Sequence, residues 1–329
     1  MKQVLFTLQE VADMVAAGKK LLLAGDESVL CELPAGQWIG GTTPYFMGEQ
    51  CGVFSQSKIF VTELSDFIQS SEIKVYNEND IQQVYQDAPR HGFSVIIIPA
   101  SSPTHFTFAL NAPNFPGFAT RPLIGWIAGV PLNDEKAEPK IFDGRTGKMY
   151  DNGAVVFHAE LPETKIAEID IINIFEQGDG DTITFLQDSF SVTDVLINGT
   201  LRNFADYLQE NKIDTRLLLM TDLYGAKINI SFKNMDFEKK TVEFFAPVFA
   251  GYRYKIARPV DDYFDSFIKR VPLYAQEQHV FFSCNCILNF MYAGLEGRKF
   301  GKFTGPITFG EIAYQLLNQT LVYLKIEDI

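Results

Sequence analysis

A chain of 329 residues exceeds what one hydrophobic core usually organises, and its 47% hydrophobic and 21% charged residues exclude a disordered chain, so two folded domains are expected. The formal charge of −13 repels phosphate backbones and anionic lipid surfaces, and no basic stretch overrides it, so neither nucleic acid nor membrane partners are expected. Four cysteines in so long a chain are no disulfide framework, which points to a reduced, cytoplasmic setting and makes the sequons at Asn198 and Asn318 chance matches.

The first seventeen residues carry Gln9, Glu10 and Asp13 and so lack the form of a secretory signal, while apolar runs such as 95–98 fall far short of the ~20 residues that span a bilayer. Thr7 to Glu10 has capping-box form, Leu8, Val11 and Val15 share a face, and Gly18 can end the helix. Strands are expected over 20–24, 28–33, 36–46 and 59–64, as a meander cut by Gly and Pro. Residues 79–88 read as a helix stopped by Pro89, 93–98 as a strand buried on both faces, and 103–111 as a helix opened by Pro103.

Residues 123–130 form a further expected strand, and Asp151-Asn152-Gly153 reads as the turn of a hairpin leading into 154–161. After an alternating stretch at 167–175, two glycines among acids at 177–181 interrupt the pattern and place a domain boundary there, giving domains 1–180 and 181–329, closely packed. In the second half, strands are expected at 182–186, 217–220, 227–232, 241–249, 279–283 and 321–326, a turn at Asn198-Gly199, and helices at 201–210 and 261–269. The fold class is therefore α+β, with mixed or antiparallel sheets flanked by helices.

Enzyme motifs are missing. Gly178-Asp179-Gly180 has Ile183 where a dinucleotide fingerprint needs its third glycine, and Gly301-Lys302 is followed by Phe303 rather than Ser or Thr. There is no G-x-S-x-G, and His91, His105, His158 and His279 stand apart, so only a spatial triad remains open. Cys284-x-Cys286 is too small a set for structural zinc, and its thiols are either buried and inert, ligand-contacting or redox-sensitive. No metal or cofactor is expected.

The segments Phe281-Phe282-Ser283-Cys284-Asn285-Cys286, Gly305-Pro306-Ile307-Thr308-Phe309-Gly310-Glu311-Ile312 and Leu317-Asn318-Gln319-Thr320 together resemble the C-terminal signature of the FIST sensory family. The segments around Leu196–Thr200 (196–200) and 241–254 extend the resemblance over 182–329, and Gly40-Gly41-Thr42-Thr43 resembles a glycine-containing strand end of its N-terminal domain. One departure stands out: where many relatives place an Arg shortly after the Cys, this chain has Ile287 and Leu288. The resemblance implies a sensor of small ligands such as amino acids, working in signal transduction through a separate signalling protein, since no output domain is visible.

Read from the residues, the same segment holds parts of a binding site. Gly41, Gly305 and Gly310 would let a ligand approach backbone, Thr42, Thr308, Asn285 and Asn318 offer neutral hydrogen bonds, Glu311 could accept from an ammonium, and Cys284 and Cys286 lie beside them. The alternatives are glycine bulges in a packed interior, a cysteine-dependent enzyme using Cys284 or Cys286 with His279 or Glu311, or a protein-interaction scaffold.

Overall fold

The computed structural model describes residues 3–64, 67–223, 226–275, 280–299 and 301–329, with backbone alone at 223, 226 and 271–275. Local signals set the first elements. Thr7 accepts the backbone N–H of Glu10 while the Glu10 carboxylate accepts that of Thr7 at 2.7 Å, and helix Leu8–Ala16 buries Val11 and Val15 before Gly18, at φ +74°, turns the chain away. Ser102 caps helix Pro103–Asn111 by accepting from the His105 N–H at 3.1 Å.

Side-chain competition explains two departures from the expected elements, and turn geometry a third. The strand expected at 28–33 is instead the short helix Glu27–Leu30, because Asp26 accepts the Ser28 N–H at 3.1 Å and nucleates a turn. The helix expected at 79–88 shrinks to the 3-10 turn Ile81–Gln83, since Asp80 and Asn77 bind the backbone N–H groups of Asn77 and Asn79 at 2.6 and 2.8 Å. Asn198 and Gly199, at φ +49° and +84°, close a hairpin of Asp194–Ile197 with Thr200–Asn203, so the helix expected from 201 starts only at Phe204, capped by Asn203. The 151–153 turn is no hairpin: Ala154–Glu160 pairs with Ser70–Tyr76 and Gly92–Pro99, while Lys148–Tyr150 pairs back on Ile141–Asp143.

The fold is α+β, with strands gathered into several mixed and antiparallel sheets. The first six-stranded sheet runs in the order Leu5–Phe6, Ile59–Glu63, Leu21–Gly25, Trp38–Thr42, Ile141–Asp143, Lys148–Tyr150. The second places Gln315–Leu317 and Glu311–Ala313 beside Leu123–Ala128, Gly92–Pro99, Ala154–Glu160 and Ser70–Tyr76. The third joins Lys165–Ile172, Leu321–Asp328, Val280–Cys286 and Gly305–Thr308 to Tyr45–Met47 and Gly52–Phe54.

The second and third sheets therefore each combine strands from both sides of residue 180. The first sheet is drawn wholly from residues 5–150, and 183–256 forms two smaller sheets, one of three strands and one of five. Strand Gly92–Pro99 lies deep in the core, with Val95 to Ile98 wholly inaccessible, which accounts for its unbroken β-branched run. Its parallel partner Leu123–Ala128 has Gly125 where a Cβ would sit 1.8 Å from the Ile96 carbonyl oxygen.

Candidate functional site

The third sheet's central strands bring most of the expected site residues into one buried polar cluster. Gly305 allows the strand Gly305–Thr308 to lie against Val280–Cys286, since a Cβ there would stand 1.9 Å from the Ser283 carbonyl oxygen. Gly310 fits under Leu316 and Ile127, and Gly41 against Ile97 and Trp126. All three glycines thus face protein atoms at close range. Thr42 sits elsewhere, accepting the Lys140 N–H at 2.9 Å at the edge of a hollow of about 130 Å³ that Asp26, Glu27, Asp134 and Glu138 also line.

Glu311 is fully buried. One of its oxygens accepts from the Thr320 hydroxyl at 2.9 Å and the Thr320 N–H at 3.2 Å, and the other faces the Thr308 hydroxyl at 3.5 Å. Burial raises its pKa to about 8 against the partial opposition of Thr320, Cys286 and Thr308, so the carboxyl holds its proton at neutral pH. The Cys284 thiol donates to the Gly125 carbonyl oxygen at 3.3 Å. Burial, and then the proximity of Glu311, pushes the thiols of both Cys284 and Cys286 well above their ordinary range.

A chain of hydrogen bonds leads outward from this cluster. Asn289 donates to Asn285 Oδ1 at 2.8 Å and to the Thr320 carbonyl at 3.2 Å, and accepts from the Tyr263 hydroxyl at 2.6 Å. Gln319, at φ +49°, donates to that hydroxyl at 3.0 Å and accepts from Ser231 at 2.6 Å. Asn285 Nδ2 and Asn318 Oδ1 are buried with no partner among the described residues. The gap between Cys284, Asn285 and Gly305 is too small to hold a water, so there the cluster is solid protein.

Open space lies next to the cluster rather than inside it. A cleft of about 460 Å³ opens where the hairpin formed by Glu311–Ala313 and Gln315–Leu317 meets strand Ala226–Asp236, the end of strand Lys165–Ile172 and helix Tyr263–Ala275. Ile172, Phe175, Ile228 and Leu317 make its apolar floor. Arg270 reaches its rim, donating to the Asn173 carbonyl at 3.2 Å and pairing with Glu176 at 3.2 Å, and Lys227 shares the lining.

Two features tie the cleft to the cluster. Asn173 and Asn229 exchange amide hydrogen bonds at 2.8 and 3.1 Å, and Asn229 also donates to the Asn318 carbonyl at 3.2 Å. Tyr314, in the cleft wall, reverses the hairpin as a single residue at φ +62°, a conformation that bulky side chains rarely adopt. Burial, followed by Asp170 and Glu168, raises its phenol pKa.

None of the expected site residues lines this cleft, although Ala313 to Leu317 lie between two of them, Glu311 and Asn318. Asn173 interrupts an alternating apolar stretch directly before the glycine-acid break at 177–181, and that is the one trace the cleft leaves in sequence.

The described histidines form no triad. His158 Nδ1 lies 2.7 Å from the Ser94 hydroxyl and Nε2 lies 3.0 Å from that of Tyr76, but all three are buried in the core, and burial pulls the imidazole pKa down to about 4. His105 accepts from the Ser101 N–H at 3.1 Å and is likewise lowered to about 4 by burial, while His91 bonds the Pro162 carbonyl at 3.0 Å. His279 lies outside the described residues. Among those residues no group of three His, Cys, Asp or Glu could hold a metal ion, and no helix is long and apolar enough to cross a membrane.

Fold and site together define an α+β protein of interleaved sheets with a polar-rimmed cleft beside a buried, protonated carboxyl. By sequence, the chain belongs to a family of unknown function, DUF6976, whose pattern it matches over residues 6–327. No curated protein matches it.

Proposed function

We propose that the protein is a small-molecule-binding sensory protein that takes an amino acid or similar metabolite in the Arg270 cleft and acts in intracellular signal transduction through a separate signalling protein. The observation that carries this reading is the rim: Arg270, Lys227 and Glu176 put both signs of charge around an apolar floor, and the volume suits a small metabolite. A zwitterion's carboxylate would meet the cations and its ammonium Glu176, while its side chain would cover Phe175 and Ile228.

The lining comes from both sides of residue 180, as expected of a ligand held between two parts of a chain. The Asn173–Asn229–Asn318 bonds give occupancy a route to the Glu311 cluster, since a ligand shifts an equilibrium only by favouring one state. The resemblance to the FIST sensory family adds to the same reading. A cysteine-dependent reaction gains no support from Cys284 and Cys286, because inaccessible thiols of raised pKa are poor nucleophiles.

A thermal-shift screen against amino acids and small metabolites tests the proposal, since saturation at ~100 times the dissociation constant adds ~2.7 kcal/mol of stability. Arg270→Glu is expected to remove the shift produced by any hit. A broad panel without a shift, or a hit indifferent to Arg270→Glu, would count against the assignment.

A further inference from the structure

A second cavity, of about 930 Å³, lies between the N-terminal edge of the first sheet and the start of strand Val280–Cys286. Val4, Phe6, Met14, Phe60, Val61 and Phe281 line it. The walls are fixed by the core behind them: Phe60 stacks on Phe46 with ring planes 13° apart, and Phe281 meets Phe67 edge-on at 4.6 Å and Phe93 at 6.2 Å.

The charged groups in its lining are unequally committed. Glu63 is paired with Lys19 at 2.6 Å, and Glu49 accepts the backbone N–H groups of Val4 and Leu5. Lys299 donates to the carbonyls of Gly48 at 2.7 Å and Phe303 at 3.1 Å, which leaves one ammonium N–H. Lys302 is exposed and pairs with no carboxylate among the described residues. Lys299 also lies near the Glu49 carboxylate, so Lys302 is the cation left without a carboxylate among the described residues, and it favours a negative charge at one end of an apolar ligand.

We propose that this cavity binds a monomeric long-chain carboxylate of the free fatty acid class, with the acyl chain over Phe6, Phe60, Val61 and Phe281 and the head group on Lys302 and the remaining N–H of Lys299. Affinity should rise with chain length while methylenes still find wall to cover, and a neutral head group should forfeit the lysine contacts. The inference is independent of the Arg270 cleft.

Isothermal titration calorimetry with dodecanoate below its micelle threshold, and with octanoate and dodecanol, tests it on the full chain. The expected result is saturable one-to-one uptake of dodecanoate, with octanoate weaker by roughly a hundredfold or more and dodecanol by roughly tenfold. Lys302→Glu should weaken dodecanoate by roughly tenfold while circular dichroism stays unchanged, Met14→Glu should abolish uptake, and Arg270→Glu should have no effect. Absence of saturable binding would overturn the proposal. So would equal binding of dodecanol and dodecanoate, indifference to Lys302→Glu, or sedimentation with anionic vesicles without uptake of the monomer.

Discussion

Cys284 and Cys286 sit one residue apart on either side of Asn285, and both are buried, whereas Cys31 is exposed and Cys51 half-buried. Thiolate formation needs solvation or a neighbouring cation, and the two inner thiols have instead a carboxyl beside them. In native protein at pH 7.5, a thiol-reactive chromophore should therefore label Cys31 and Cys51 long before the other two, and all four should react only after unfolding. Mass-spectrometric mapping of the labelled sites checks this. Rapid labelling of Cys284 or Cys286 would reopen the nucleophilic reading that the geometry leaves without support.

Among the elements, strand Gly305–Thr308 shows most directly what its glycine is for. Added bulk at Gly305 would collide with the Ser283 carbonyl, a backbone atom that cannot rotate away, whereas Gly180 has nothing within 4 Å of an added Cβ. Gly305→Ala should destabilise the protein by about 3 kcal/mol or more, and Gly180→Ala should stay within about 0.5 kcal/mol of the parent, as read from urea midpoints. Near equality of the two would mean that the strands separate easily there, and would return Gly305 to the role of admitting a ligand.

Elements whose signal is carried by adjacent residues were legible in the sequence. Thr7 with Glu10, Pro103, and Asn198-Gly199 each mark a boundary within about a residue of where it falls. Legibility failed where a polar side chain captured its own backbone, as Asp26 does under an apolar 28–33 and Asp80 within 79–88. The polar cluster was half legible: Cys286, Thr308, Glu311 and Thr320 do converge, but as a packed interior. The cleft was hidden because its walls come from positions as distant as Phe118, Asn173, Lys227, Arg270 and Tyr314, and no local pattern records which strands meet.

On the scale of the whole molecule, three buried groups shape the response to pH. His105 and His158 fall to about 4 in the fold against an ordinary 6.5, so the unfolded chain binds their protons first, and stability is lost as pH drops from 6.5 through 4. Glu311 acts in the opposite sense. Raised to about 8 from 4.5, it keeps a proton that the unfolded chain has released, and stability declines as pH rises across that window, by at most ~1.4 kcal/mol per pH unit.

Between 4.5 and 6.5 the two histidines outweigh the one carboxyl, and above 6.5 the carboxyl acts alone. Unfolding free energy should therefore peak near pH 6.5, which urea titrations at half-unit intervals can resolve. Glu311→Gln, which matches the protonated form in shape, should turn the decline above 6.5 into a plateau. A parent curve that is already flat from 6.5 to 8 would show that Glu311 is ionised in the fold.

The stretch from 183 to 256 leaves and re-enters the rest of the chain through one narrow clasp, where Gly178 donates to the Ile256 carbonyl at 3.0 Å and Arg258 to that of Glu176 at 2.8 Å. Its ends are thus neighbours, and strands Lys165–Ile172 and Val280–Cys286, which flank it in sequence, both pair with Leu321–Asp328 without its help. Such a cassette can be exchanged without breaking a strand pair of the three large sheets. Since Lys227, Ile228 and Asn229 belong to it, each exchange would rewrite one wall of the cleft and leave the other standing.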